Sequence, residues 1–148
     1  MDKSVYPYIT PYDSNNSSCD ECRFDFAVHA SQKNDEELRT ILKGWPPPQV
    51  FKKKRRIPRK YKGVYSLSSL DYVKSLEIRD HIDWFELIVT ENDGLDELAA
   101  DPNVLISAHI YWWSKDYDGG GFTLWPKQLA VLSDLNVELQ VHFVFYGD

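Results

Sequence analysis

The last third of the chain limits its fold more than any other stretch. Residues 104–113 alternate Val104, Ile106, Ala108, Ile110 and Trp112 against Leu105, Ser107, His109, Tyr111 and Trp113, the period-two pattern of a strand. A loop rich in Asp and Gly covers 116–122. Residues 123–135 then place Leu124, Leu129, Leu132 and Leu135 on one side, with Thr123 as the cap and Pro126 in a first turn, where its missing N–H costs little. Residues 137–146 alternate again, Val137, Leu139, Val141, Phe143 and Phe145 against Glu138, Gln140, His142, Val144 and Tyr146. The order is strand, glycine loop, helix, strand. It fixes a sheet-and-helix fold and carries no recognisable reaction chemistry.

Upstream, Phe24, Phe26 and Val28 alternate with Asp25, Ala27 and His29, a first strand with one wet face. Asn34 followed by Glu37 makes a capping-box start for a short helix with Leu38, Ile41 and Leu42 on its apolar stripe. Gly44, Trp45 and Pro46 to Pro48 end it, because proline lacks the donor that a continuing helix needs. Val64, Tyr65 and Leu67 read as a second strand. A long helix is expected over 71–90, from the stripe Val73, Leu76, Ile82, Phe85 and Val89, and Gly94 breaks it before a further turn over 95–100. Residues 1–22, with Pro7, Pro11 and the polar run 14–18, read as an irregular arm, and 23–148 as a single domain.

Strands that alternate argue against a doubly wound parallel sheet, whose strands are apolar on both faces. The expectation is a two-layer α+β sandwich: a mixed or antiparallel sheet of about four to five strands, with about three helices on one face. Two strand-helix-strand halves also suggest a ferredoxin-like duplication.

A chain of 148 residues suits one domain with a sizeable core. No apolar run reaches the roughly 20 residues that cross a bilayer, and the first 22 residues lack a basic start followed by an apolar stretch. The expected location is therefore cytoplasmic, with no membrane partner. The net charge of −6 is unevenly spread: eight of the 17 basic residues fall in 52–62, which holds no acid, leaving nine against 23 acids elsewhere, a net −14. The chain reads as an acidic body with one basic segment.

The order of elements, with the run Gly63-Val64-Tyr65-Ser66-Leu67-Ser68-Ser69 after a proline-rich and basic stretch, resembles the mostly bacterial domain of unknown function 4279 family over about residues 23–145. The chain departs from that pattern in having Tyr65 in place of Trp and in its dense basic stretch. The resemblance implies no agreed activity, catalytic residue or cofactor. It does imply a stand-alone accessory protein, with toxin-immunity pairs among the settings.

Four candidate sites follow from the residues. Cys19 and Cys22 have the spacing of half a zinc site, but no second ligand pair accompanies them, so two free thiols in a leader are the plainer expectation. The polar strand faces bring Asp25, His29, Ser107, His109, Tyr111, Glu138, Gln140 and His142 to one side; an enzyme built there requires His29, His109 and His142 to converge. The glycine loop could cradle a phosphate, yet it lacks a P-loop lysine, and Asp116 and Asp118 repel anions. The basic segment, with Lys53, Arg55, Arg56 and Arg59, could grip nucleic acid or an acidic protein. Of the adjacent tryptophans, one must point to the core and Trp113 is expected nearer a binding surface. The expected function is a non-enzymatic protein-binding module that uses Lys53, Arg55, Arg56, Arg59, His109, Tyr111, Trp113, Asp116, Asp118 and His142, with an immunity protein for a bacterial toxin as its specific form. The alternative is a nucleic-acid or anion-binding accessory protein using 52–62. No metal or cofactor is expected, and the oligomeric state is left open.

Overall fold

The computed structural model describes residues 19–49, 60–115, 121–135 and 137–146. They form an α+β sandwich. A four-stranded mixed sheet has the order β2-β1-β3-β4, built from β1 (Glu21–Ala30), β2 (Gly63–Ser68), β3 (Val104–Ser114) and β4 (Glu138–Phe145). Four helices accompany it: α1 (Asp35–Ile41), α2 (Ile78–Glu91), α3 (Leu95–Ala100) and α4 (Pro126–Leu135). β1 pairs antiparallel with β2 and with β3, whereas β3 and β4 run parallel. The first strand-helix-strand unit therefore closes antiparallel and the second parallel, so the two halves do not repeat one another.

Alternation sets the layers. Phe24, Phe26, Val28, Tyr65, Leu67, Ile106, Ala108, Ile110 and Trp112 are buried on one face. There Phe85 of α2 meets Phe24 at 5.0 Å and Phe26 at 4.8 Å between ring centroids, and Trp45 stacks on Phe26 at 5.7 Å. The capping box of α1 is formed: the Asn34 side chain accepts from the Glu37 N–H, and Glu37 reaches back to the Asn34 N–H. Gly94 starts α3 at φ +107°, and a Cβ there would stand 2.2 Å from the Ile41 carbonyl oxygen, so the close approach of α3 to α1 excludes any larger residue.

Three expectations are corrected. Residues 72–77 are not helical: a 3-10 turn (Ser69–Asp71) and a loop precede α2, which begins only at Ile78. The cause is a set of buried hydrogen bonds that compete with helical ones. The Ser75 hydroxyl accepts from the Glu77 N–H at 3.0 Å and donates to Asp80 at 2.5 Å, while the Ser75 carbonyl accepts from His81 Nε2 at 2.7 Å. Helix α4 starts at Pro126, not Thr123, and the Gln128 side chain reaches back to accept from the Trp125 N–H at 2.9 Å. Cys19 and Cys22 do not belong to a loose leader: β1 begins at Glu21, and both thiols are in the core, 3% and 4% exposed.

Candidate functional site

Among the described residues no helix packs on the face of the sheet opposite α1 to α4, the open face. Because β1 and β3 alternate strictly, each residue flanking a buried one points to this side. Register then sets the rows: Arg23 lies opposite Tyr111 and Asp25 opposite His109, while on the other flank of β3 His142 lies opposite Tyr111 and Gln140 opposite His109. The side chains in these rows pack on each other. The Tyr111 ring is parallel to His142 within 9° at 4.4 Å, and the Arg23 guanidinium stands 4.5 Å from its centroid. These two neighbours come from strands on opposite sides of β3, so both faces of the Tyr111 ring are occupied. Trp113 extends the stack along β3 at 5.7 Å from Tyr111 and 5.1 Å from the Arg23 guanidinium. His109 extends it the other way, 6.1 Å from Tyr111.

Electrostatics ties the stack at both ends of its row. Arg23 Nε donates to Asp25 Oδ2 at 3.0 Å, which holds the guanidinium over the rings. His109 Nδ1 and His142 Nε2 are 3.1 Å apart, so one ring donates to the other, and the bond survives only while one of the two facing nitrogens is unprotonated. Arg23, Asp25, His109, Tyr111, Trp113 and His142 are all half-buried. What they offer outward is ring edges and polar atoms.

Of the residues expected to carry function, His109, Tyr111, Trp113 and His142 share this face with the expected neighbours Asp25, Ser107, Glu138 and Gln140. Trp112 is the core member of the tryptophan pair, fully buried. The three histidines do not converge. His29 pairs with Leu105, four positions from the His109 row, which is about 13 Å along a strand. Its ring packs instead on Tyr61 at 5.0 Å. The enzyme reading that needed all three together fails on this spacing. Lys53, Arg55, Arg56, Arg59, Asp116 and Asp118 lie outside the described residues. Arg23 was missed, since nothing in its own sequence neighbourhood marks it; only the register opposite Tyr111 does.

Beneath the other face lies a buried polar network. Ser69 Oγ accepts from the Phe24 N–H at 2.9 Å and lies 2.6 Å from His81 Nδ1. The Ser75 carbonyl can only accept, so His81 carries its proton on Nε2, and Nδ1 accepts from the Ser69 hydroxyl. Burial pushes the His81 pKa down to about 4, against the hydrogen bond to Ser75. Asp80 is fully buried, and burial holds its carboxyl above the ordinary range while Ser75 opposes. The pair Cys19 and Cys22 is polarised: a hydrogen bond from Cys22 lowers the Cys19 pKa, and the same bond, with burial, raises that of Cys22. Among the described residues, no group of three or more His, Cys, Asp or Glu side chains is placed to hold a metal ion. None of their helices is long and apolar enough to cross a membrane.

Fold and face together define a class: a four-stranded mixed sheet with helices on one side and, on the other, a half-buried aromatic and charged surface. The chain matches no family model, no curated protein and no solved structure with which it was compared.

Proposed function

We propose that this chain is a non-enzymatic protein-binding module whose contact surface is the open sheet face centred on Arg23, Tyr111, Trp113 and His142. The observation that supports this best is the filled stack. Tyr111 has His142 on one face and Arg23 on the other, so a flat ligand has no ring face to enter there, whereas ring edges, a guanidinium and imidazole nitrogens suit the irregular surface of a folded partner. Tyr, Trp and Arg are also the side chains that most often anchor protein interfaces. In its specific form the proposal is an immunity protein that neutralises a bacterial toxin by covering its active site. The net −14 outside residues 52–62 suits a basic toxin groove and would speed capture.

The test is capture with wild-type chain and with Tyr111→Ala, Trp113→Ala and Leu76→Ala, the last an exposed residue in the loop before α2. A partner retained by wild type and Leu76→Ala but lost from the two ring variants supports the proposal. Equal retention by all four removes the open face from consideration. For the immunity form, co-expression with a toxin domain that the chain binds must relieve that domain's toxicity, and Trp113→Ala must abolish the relief.

A second reading, nucleic-acid or anion binding through the basic segment, is favoured by one placement. The described end of that segment, Lys60 to Lys62, meets the open face: the Lys62 N–H donates to the Ala30 carbonyl, Tyr61 packs on His29, and Lys60 Nζ stands over the Tyr61 ring. Replacing Lys53, Arg55 and Arg56 by Ala and finding unchanged retention on heparin and DNA would eliminate it.

A further inference from the structure

We propose that β4 pairs antiparallel with β4 of a second copy of this chain about a twofold axis at His142, joining two four-stranded sheets into one. The two edges of the sheet motivate this. At β2 the edge is covered: the Gln49 N–H donates to the Ser66 carbonyl at 2.7 Å, and the Tyr65 hydroxyl donates to the Pro46 carbonyl at 2.6 Å. Among the described residues no strand pairs with the outer edge of β4, and an edge of that kind is a template for pairing with another chain.

Edges that stay single are usually blunted by lysine, proline or a bulge. β4 reads Glu-Leu-Gln-Val-His-Phe-Val-Phe, with one charge at its start and no proline. Its register on β3 runs unbroken from Ser107↔Glu138 to Ser114↔Phe145. The helix layer also stops short of it. On the covered face Ile110 and Trp112 have no exposure, yet their neighbours Val141 and Phe143 are 41% and 47% exposed.

The pattern of β4 complements itself. With the axis at His142, Val141 faces the copy's Phe143 and Phe143, which stacks on Phe122 at 5.6 Å within its own chain, faces the copy's Val141, so the two partly exposed apolar side chains of each chain cover those of the other. Glu138 then faces the copy's Tyr146 and Gln140 the copy's Val144, so no carboxylates are opposed, and the two His142 side chains meet at the axis. A twofold contact is closed, whereas a head-to-tail strand addition would leave a free edge and continue into a filament. The paired edge shares His142 with the open face around Tyr111, but Val141 and Phe143 lie on the opposite face of the sheet, so substitutions there test the edge separately.

Sedimentation equilibrium of the full chain is expected to show a dimer that dissociates on dilution. Val141→Lys and Phe143→Glu each enter the interface twice and should weaken it at least about tenfold, with unchanged circular dichroism because both positions are exposed. Mixing the two variants sets the introduced lysine of one chain opposite the introduced glutamate of the other, leaves Phe143 opposite Val141 in the second row, and should restore association as a heterodimer. A full chain that stays monomeric throughout, a dimer indifferent to both substitutions, or a mixture that fails to associate would each overturn the pairing. So would dimerisation that appears only once residues 1–18 are deleted, which would make the arm the natural occupant of the edge.

Discussion

The two faces of the sheet are made by the same strands and do opposite things. Along β1, Phe24, Phe26 and Val28 are sealed, the two phenylalanines against Phe85, while Arg23 and Asp25 between them stay half-buried and pair with each other. On the sealed face polar groups are also fixed, Ser69, Asp80 and His81 having 1% exposure or less. On the open face rings and charges are half-buried and ordered by mutual stacking, with no helix packed on them among the described residues. The sealed face therefore holds the stability, and the open face is ordered beyond what folding requires.

The sharpest way to break this contrast is to truncate the centre of the sealed face. Phe85→Ala removes the ring that touches Phe24, Phe26 and Trp45, and should cost about 3 to 5 kcal/mol in urea unfolding. A cost below about 1 kcal/mol would mean that the core is elsewhere.

Acid should act on the sealed face next. The His81 pKa is about 4 in the fold against 6.5 when exposed, so below pH 6.5 the unfolded chain takes up a proton that the folded chain refuses. Stability is full above pH 6.5, falls as pH drops through the window, and levels off below about 4, for a total of about 3 kcal/mol. Asp80, with its pKa raised, works in the opposite sense at the acid end, so the slope is best measured in Asp80→Asn as well as in wild type. A flat profile between pH 4 and 6.5 in both would show that His81 is not buried neutral.

A smaller effect tests the same network by deletion. Ser69→Ala leaves the Phe24 N–H and His81 Nδ1 without their partner and should cost about 1 to 3 kcal/mol in the same unfolding assay. On the open face the effect on stability should be smallest and that on function largest. Arg23→Ala should lower stability by about 0.5 to 1 kcal/mol, as expected for a part-exposed cation-π contact, yet abolish partner capture. A loss of several kcal/mol would make the stack a structural device and remove the reason for assigning it a partner.

Much of this was readable in the sequence. Strand alternation told the two faces apart and separated Trp112 from Trp113, since neighbours on a strand point opposite ways. The capping box at Asn34 and Glu37 marked the start of α1. The start of the long helix was not legible, because Val73 and Leu76 fit a helical stripe; the hydroxyls that delay it, Ser69 and Ser75, matter only once Phe24 and His81 are beside them. Arg23 was illegible for the same reason: its partner Tyr111 is remote in sequence and adjacent only through β1-β3 register.

By itself the sequence determined the layers, since a period of two or of 3.6 dictates which side chains share a face whatever the strand order. The tertiary structure alone decided the neighbours: that β1 sits between β2 and β3, that β4 runs parallel to β3, that the helix layer leaves Val141 and Phe143 partly exposed, and that His29 stays apart from His109 and His142. Periodicity is a local property of the chain, while strand order, register and coverage come from closing long loops so that the whole apolar surface packs at once. No short stretch of sequence carries that information.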